Sequence, residues 1–262
     1  IIINKDTKNI FITENKSSYL KSLANNLKSD VIDHNNFIGG RYSVLSEVGM
    51  LPAMLMNLKV SKFRQFNELV KNKYFLNSII NSVSTIVDFT KKNKSNSIIL
   101  NYDEKSLDFF YWYQQLVAES LGKKSKGILP IVSRMPQDNH SLMQLYLDGT
   151  KNNFYTFFFT EEIFSQKIRN QEISKSHSYL KNKNLNDVLY NQFIATQSVF
   201  TKKNIPFRSF EIEKRNESTL GILFTYFILE TILLGKALNV NPYDQPSVEL
   251  IKKETKKRLI KN

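Results

Sequence analysis

The sequence predicts an α/β fold with a mostly parallel sheet. Short apolar runs, typical of buried strands, alternate with longer segments of helical periodicity, and strands joined by crossover helices run parallel. The chain has 262 residues, which is enough to bury a substantial core without cross-links. Its sequence contains no internal repeat and no flexible linker, so nothing in it marks a boundary between domains.

The first half of the chain begins with two strands, expected at residues 9–13 and 31–32, and a helix between them near residues 17–27. The first strand is expected to be buried because apolar residues dominate it. Ser43 is predicted to cap a helix over residues 43–57. Pro52 should kink or break that helix because proline lacks an N–H. Further helices are expected at residues 62–70, 74–91 and 104–121, with a strand at residues 97–100.

The second half continues the alternation. Strands are expected at residues 128–132, 154–159 and 206–212, the second of them central and the third at an edge. Asp138 or Asn139 should cap a helix that runs to Gly149, and residues 171–186 predict a loop with one helical turn. Helices are expected at residues 185–202, 219–238 and 246–260, the last of them amphipathic. No apolar run approaches the ~18 residues that cross a bilayer, so residues 224–234 are expected in a buried helix.

The composition excludes several kinds of site. The chain contains no cysteine, which rules out disulfides, thiolate metal sites and cysteine nucleophiles. Its histidines, His34, His140 and His177, are too scattered for a zinc signature, so we predict no metal. The formal net charge is +13, but the lysines are spread among asparagines, with one dense run at residues 252–261. This pattern favours a solvated surface, and we predict a soluble protein with no nucleic-acid and no membrane partner.

The most informative segment is NNFIGGRYSVLSEVGMLPA, at residues 35–53. Gly39 and Gly40 can adopt backbone angles closed to other residues and let another group approach closely. Arg41 follows them, just before the predicted helix. A guanidinium on a glycine loop beside the partly positive end of a helix suits an anionic ligand or a developing oxyanion. The same residues are also compatible with an ordinary glycine loop that carries a surface arginine.

Two further residues have side chains suited to proton transfer. Glu119 lies near the C-terminal end of a predicted helix, where the helix dipole disfavours a carboxylate. If it is partly buried, its pKa would be raised and it could serve as a general base; the alternative is an ion pair with Lys123 at helical spacing. His140, at the start of another predicted helix, could act as an acid or base or could be satisfied by neighbouring backbone.

A last group of candidates surrounds the start of the terminal helix, where the sequence reads YDQPSVELIK at residues 243–252. Gln245 and the free amides of the helix start could hold a phosphate. Asp244 and Glu249 lie beside it, and Lys252 could equally be surface charge. None of these residues identifies a function alone.

Four segments nevertheless occur in the order typical of one enzyme family. IGGRYSVLSEVG at residues 38–49 resembles the GGR[FY]S signature of phosphoglucose isomerases, and QLVAESLGKKSKG at residues 115–127 is similar to their ES-GK segment. DNHSLMQLYLDG at residues 138–149 resembles their HS-x-x-Q-x-x-x-x-G segment, and residues 243–252 resemble their [FY]DQ-x-G-VE-x-x-K ending. The resemblance spans residues 39–252. It implies a three-layer α/β sandwich of the sugar-isomerase (SIS) type with C-terminal helices.

The resemblance also implies an activity, the interconversion of glucose 6-phosphate and fructose 6-phosphate through a cis-enediolate, in glycolysis and gluconeogenesis. The enzyme would be a cytoplasmic homodimer that needs no metal and no cofactor. Glu119 would move the proton between carbons 1 and 2 of the sugar, and Arg41 would stabilise the enediolate. His140, which would reach the active site of the other subunit, and Lys252 would assist ring opening.

For substrate binding, the resemblance implies that Gly40 contacts the sugar phosphate and that Gln245 contacts its phosphate group. The sequence departs from the family pattern in two places. Ser247 stands where the family has a glycine. The Ser/Thr-rich loop that grips the sugar phosphate would precede Ile1 and is not found. We therefore expect residues 1–262 to be the C-terminal SIS domain of an isomerase without its N-terminal SIS domain, folded but nearly inactive. A non-catalytic SIS module that senses sugar phosphates is the alternative.

Overall fold

The computed structural model describes residues 8–161 and 165–261. It contains helices and parallel strands, as the sequence predicts, and it divides into two compact units. The first unit is formed by residues up to Asn72 and by Glu217–Ile228, and the second by Lys73–Asn216 and residues from Leu229 onward. The assignment of residues 1–262 to one SIS domain stays a prediction.

The first unit contains a two-stranded parallel sheet. Its elements in chain order are β1 (Ile10–Glu14), α1 (Tyr19–Asn26), β2 (Asp30–His34), a 3-10 helix (Gly40–Leu45), α2 (Glu47–Leu55), α3 (Val60–Phe63) and α4 (Phe66–Leu69). Strand β1 is half-exposed, and Ile10 in it is 45% exposed, so the expectation of a buried first strand is wrong. A sheet of only two strands offers few neighbouring side chains that could bury the residues of β1. The apolar core is formed instead by Met50, Ala53 and Phe63.

The helix after the glycine loop begins later than predicted. Ser46 caps α2, since its side-chain oxygen accepts from the Val48 N–H at 3.3 Å. Ser43 is no cap: its hydroxyl donates to the Gly40 carbonyl at 2.7 Å within the 3-10 helix. Pro52 lies inside α2 without ending it. A proline removes one backbone hydrogen bond. The other hydrogen bonds of α2 are enough for the helix to continue past Pro52 to Leu55.

The helix predicted at residues 62–70 is split into α3 and α4. The break lies at Arg64, whose φ of −95° and ψ of 68° fall outside the helical region. The side-chain amide of Gln65 bridges the break, because it donates to the carbonyl oxygens of Lys62 and, at 3.0 Å, Ser218. Sequence periodicity gives no sign of this side-chain bond.

The second unit is built on a four-stranded parallel sheet with the strand order β4-β3-β5-β6. Its strands are β3 (Asn96–Asn101), β4 (Leu129–Arg134), β5 (Asn153–Thr160) and β6 (Phe207–Ile212). Its helices are α5 (Lys73–Lys91), α6 (Leu107–Leu121), α7 (Asp138–Ser141), α8 (Met143–Asp148), α9 (Leu185–Lys202), α10 (Glu217–Ala237), which begins in the first unit, and α11 (Pro246–Lys261). Short 3-10 helices occur at Glu104–Ser106, Asn170–Glu172 and Lys175–Leu180.

The sheet of the second unit matches the predicted positions of its strands. In the pairing register, Asn96 of β3 lies opposite Leu129 of β4 and Asn153 of β5, and Tyr155 of β5 lies opposite Phe207 of β6. Strand β5 is central and buried over its whole length, and β6 is an edge strand. The predicted α/β fold with mostly parallel strands is therefore confirmed.

The core of the second unit is largely aromatic. The Phe157 ring of β5 lies edge-on to Phe193 and Phe200 of α9, with ring centroids 5.9 Å and 5.2 Å away, and to Phe207 of β6 at 5.0 Å. Such edge-to-face pairs contribute about 0.5–1.5 kcal/mol each beyond the area they bury. This packing fixes α9 on the sheet and thereby fixes the positions of the strand ends.

Helix α10 is long and apolar enough to cross a membrane by length and composition, which the sequence prediction missed. Half of its most apolar window is buried inside the protein, and core helices of soluble proteins have the same composition. Glu230 in this helix is fully buried and contacts Arg208. These features describe a core helix, and the absence of a membrane partner stays a prediction.

The terminal helix α11 lies where the sequence predicts an amphipathic helix, and it is exposed along its length. Every residue from Pro246 to Ile260 is exposed, and Leu259 and Ile260 are each 73% exposed. The helix exists where it is predicted, but none of these residues is buried against the rest of the second unit.

Candidate active site

The predicted site residues are divided between the two units. Gly40 and Arg41 lie in the first unit, whereas the second unit contains Glu119, His140, Gln245 and Lys252. Each group is therefore described within its own unit.

In the first unit, the two glycines provide space rather than unusual backbone angles. Gly39 is extended, with a φ of −66° and a ψ of 153°, which any residue can adopt, so the expected glycine-only angles are not used. Within the described part of the chain, and apart from adjoining residues, no heavy atom lies within 4 Å of where a Cβ would sit on Gly39 or Gly40. Another molecule can therefore come close to the backbone here.

Arg41 follows this open backbone and is itself buried. It is 4% exposed, so the alternative of a surface arginine is wrong. Its guanidinium carbon lies 5.3 Å from the centroid of the Tyr42 ring, a distance typical of cation–π contact. A buried, oriented guanidinium suits recognition of an anion, because its direction is fixed before the ligand arrives.

In the second unit, Glu119 lies in the last turn of α6 and is half-buried. The side-chain amide of Gln115, one turn earlier, donates to Glu119 Oε2 at 3.1 Å. This bond orients the carboxylate on a rigid helix. A carboxylate held in this way can accept a proton from a carbon acid placed beside it.

Directly after α6, Lys123 connects the helix end to a distant segment. Its ammonium lies 2.7 Å from Asp244 Oδ1 and also donates to the Asn241 carbonyl oxygen. The side chain of Lys123 is only 10% exposed, and its hydrogen bond lowers the pKa of the Asp244 carboxyl. Lys126 adds a bond of 2.9 Å to the Leu238 carbonyl. Helical spacing suggests Glu119 as a possible ion-pair partner of Lys123. In the structure, Lys123 forms an ion pair with Asp244.

This connection brings the segment around Gln245 to the end of α6. Gln245 is half-buried and adjoins Asp244, immediately before α11. Lys252 lies seven residues further along the chain, within α11. Its ammonium is 2.7 Å from Glu249 Oε1, and both side chains are more than half exposed. The segment that contains Gln245 therefore lies at the end of the helix that carries Glu119, whereas Lys252 is exposed to solvent.

His140 lies on the short helix α7, after strand β4, and is exposed. The turn below it is fixed by Asp138, whose carboxylate accepts bonds of 2.8 Å from the Ser133 hydroxyl, the Arg134 N–H and the Ser141 hydroxyl. The single helix predicted up to Gly149 is divided into α7 and α8. His140 therefore stands on a rigid turn with its side chain accessible.

A buried polar cluster at the carboxyl edge of the sheet was not predicted. Asp103, just after β3, is 5% exposed and accepts bonds of 2.8 Å from Arg215 Nη2 at both carboxylate oxygens. Ser106 and Thr160, the last residue of β5, donate to Asp103 Oδ2 at 2.5 Å and 3.1 Å. The connection that follows β3 leads to one side of the sheet, and the connection that follows β5 leads to the other. In α/β folds, the crevice between two such neighbouring strands is a common binding site. Polar residues directly after buried strands are the sequence signal that would have found it.

Comparison with known proteins gives one consistent family. The family "Phosphoglucose isomerase" matches residues 15–261. The chain is 31% identical over 262 residues to the glucose-6-phosphate isomerase of Methanocaldococcus jannaschii, with 94% of this chain and 62% of that protein covered. It is 34% identical to the glucose-6-phosphate isomerase of Mycoplasmopsis pulmonis, with 82% of this chain and 52% of that protein covered. The chain thus spans between half and two thirds of these relatives.

Solved structures show the same fold. A hypothetical protein of Thermus thermophilus superposes with a TM-score of 0.85 at 24% identity, covering 95% of this chain and 62% of that one. A glucose-6-phosphate isomerase of Chlamydia trachomatis superposes with a TM-score of 0.76 at 17% identity, covering 95% and 52%. The sequence matches and the shared fold lead to one conclusion: the chain belongs to the phosphoglucose isomerase family.

Proposed function

We propose that the protein is an aldose–ketose isomerase that interconverts glucose 6-phosphate and fructose 6-phosphate. Family membership and relatives that carry the name glucose-6-phosphate isomerase support this proposal. The structural observation that carries it is the ion pair between Lys123 and Asp244. This pair joins the helix end that bears Glu119 to the segment that bears Gln245, so two separate motifs of the family meet in one place.

Glu119 is the base in this proposal. Isomerisation through an enediolate requires one group to remove a proton from carbon 2 of the open-chain aldose and to return it at carbon 1. A carboxylate oriented by Gln115 can carry the proton in both steps. Arg41 stabilises the negative oxygen of the enediolate, for which a buried and preorganised guanidinium is suited.

The remaining candidates serve ring opening and binding. Sugar phosphates are mostly cyclic, and opening the ring requires proton transfer to the ring oxygen, which His140 and Lys252 provide in this proposal. Gln245 donates to the phosphate, and the open backbone at Gly40 accommodates the sugar. These assignments rest on the motifs and on the positions of the residues within each unit.

We further propose that the protein works as a homodimer in the cytoplasm, as part of glycolysis and gluconeogenesis, without metal or nucleic acid. The exposure of His140 on α7 suits a residue that serves a second subunit. Sedimentation equilibrium should give the mass of two chains, and the mass of one chain would contradict this part of the proposal.

The function is tested by following fructose 6-phosphate with the full-length protein in the presence of EDTA, using NMR to detect glucose 6-phosphate. We expect conversion to an equilibrium mixture. A folded protein that neither converts nor binds fructose 6-phosphate would show that the proposal is wrong, whereas binding without conversion would indicate the sensing module instead.

The variant Gly40→Ala should fold normally and bind substrate poorly. Alanine suits the 3-10 helix at this position, so the melting temperature should be unchanged or slightly raised. Its Cβ would fill the open space beside the backbone, and we expect KM for fructose 6-phosphate to rise about tenfold or more. An unchanged KM would show that substrate does not approach Gly40.

Gly221→Ala is the contrasting control. A Cβ on Gly221 would lie 2.3 Å from the Phe63 carbonyl oxygen, so this variant should lose thermal stability. The pair of variants separates glycine needed for packing from glycine needed for ligand approach.

A further inference from the structure

His34 lies at the end of β2 with both imidazole nitrogens engaged. Its Nε2 lies 2.8 Å from the Ile38 carbonyl oxygen, and its Nδ1 contacts the Glu47 carboxylate. The side chain is 11% exposed, so water cannot readily replace these partners. A carbonyl oxygen and an ionised carboxylate only accept hydrogen bonds, so each ring nitrogen has to donate.

Glu47 is held in its ionised form by the start of helix α2. It is the first residue of α2, where the helix dipole favours a negative charge. A bond from its own backbone N–H, followed by the bond from His34, lowers the pKa of the Glu47 carboxyl, and the Asn35 N–H contributes a further bond. Because a neutral imidazole donates from only one nitrogen, the two contacts of His34 together require the imidazolium.

The imidazolium joins the two ends of the 3-10 helix that carries Arg41. Ile38 lies just before the glycine pair that leads into this helix, and Glu47 begins the next helix after it. Within the helix, the Ser43 hydroxyl donates to the Gly40 carbonyl at 2.7 Å. The segment is therefore compact in itself and tied at both ends to one side chain.

We propose that the His34 imidazolium is a positioning residue that holds Arg41 in the orientation its oxyanion role needs. We call the two contacts of His34, with Ile38 and with Glu47, the tether. The role of Arg41 rests on the proposed function, whereas the tether itself does not. His34 acts without touching the substrate, because fixing both ends of a short segment limits the directions that the guanidinium can take. A small displacement of such a group is costly for turnover.

The charges around His34 give the tether a defined pH range. Among the described residues, the charged groups that face the imidazole are Glu47 on α2 and Glu14 opposite it on β1, and Glu14 in turn contacts Lys16. Desolvation lowers the pKa of His34, but its hydrogen bonds to Glu47 and Ile38 outweigh desolvation and raise the pKa above 6.5. The tether therefore needs a charged His34 and an ionised Glu47, so it is present at pH values between their two pKa values and is lost as the pH rises through the raised pKa of His34.

The tether is tested by an NMR titration of the protein, with the ring signals of His34 assigned through His34→Phe. We expect His34 to titrate above pH 6.5 and the amide shifts of Gly39 and Gly40 to follow the same midpoint. Titration of His34 at or below pH 6.5, or glycine amides that do not follow it, would overturn the proposal whether or not the protein is an isomerase.

The effect on Arg41 is tested by the pH profile of kcat, measured with the full-length protein. In the wild type, kcat should fall as the pH passes the His34 midpoint measured by NMR. His34→Phe should be about 10–100-fold slower below that midpoint and should lack this fall, with KM little changed. Glu47→Gln keeps the imidazole and removes the carboxylate, so it should move the midpoint and the fall in kcat together to lower pH. It also replaces His34→Phe if that variant does not fold.

The matched control is His177→Phe, which changes an exposed histidine in the second unit and should keep the wild-type profile. Wild-type kcat and profile in both His34→Phe and Glu47→Gln would overturn the proposal. If the full-length wild type shows the joint titration but no isomerase activity, the proposed function fails and the tether is supported.

Discussion

Replacing Glu119 by glutamine is expected to lower kcat for isomerisation by about 10²–10⁴-fold, with KM little changed. Glutamine keeps the size of the side chain and its place on α6, but its amide cannot accept the proton from carbon 2. The loss should therefore fall on the proton-transfer step and leave substrate affinity almost intact. Initial rates in both directions, with the full-length protein, measure the effect.

Glu172→Gln is the matched control for this experiment. Glu172 lies in the same unit, and its exposed carboxylate is 3.5 Å from Arg169, so its loss should leave both kcat and KM unchanged. If Glu119→Gln keeps turnover within about tenfold of the wild type, another group is the base. A large rise in KM with normal kcat would make Glu119 a binding residue instead.

Replacing Glu230 by leucine is expected to destabilise the second unit by about 3–5 kcal/mol. Glu230 is fully buried on α10, and both of its oxygens contact Arg208 of β6, one of them at 3.2 Å. The Ser82 hydroxyl of α5 donates to it at 2.6 Å, and Arg208 Nε donates to the Thr156 hydroxyl at 3.0 Å. Removing the carboxylate leaves a largely buried guanidinium without its counter-charge, which is why the cost is high.

Chemical and thermal unfolding measure this loss, which corresponds to a fall in melting temperature of roughly 6–20 °C for a protein of this size. Glu68→Ala is the control, because Glu68 forms an exposed ion pair with Lys71 whose removal costs about 0–1 kcal/mol. The double variant Arg208→Met with Glu230→Leu should regain much of the stability, since no unpaired charge remains. A loss below about 1 kcal/mol in Glu230→Leu would mean that the pair does not stabilise the fold.

The elements that sequence predicts well are those with strong local signals. Helix α9 begins at the expected residue because Asn184 and Asp187 form a capping box. Strand β5 is strongly apolar, with five aromatic residues among eight, and its burial follows from that. The start of α2 was misplaced because Ser43 and Ser46 are both competent caps, and only the 3-10 helix before Ser46 decides between them.

The contacts that join distant parts of the chain were not predictable. Lys123 lies in a turn with Lys124 and Lys126, and nothing local indicates that it is the one that pairs with Asp244. The same holds for Asp103 and Arg215, which meet only because β3 and the end of β6 belong to one parallel sheet. Motif resemblance named Glu119 and Gln245 as site residues, but the fold alone supplies the ion pair that brings their segments together.

The central claim, that this family member isomerises a sugar phosphate through an enediolate with a protein base, is tested most directly in D2O. Fructose 6-phosphate should be incubated with the full-length protein for many turnovers in D2O containing EDTA, and carbon 2 of the glucose 6-phosphate formed should be examined by NMR. We expect deuterium at carbon 2, because a proton held by Glu119 exchanges with solvent between removal and return. Full conversion with carbon 2 free of solvent deuterium would indicate hydride transfer and contradict the account.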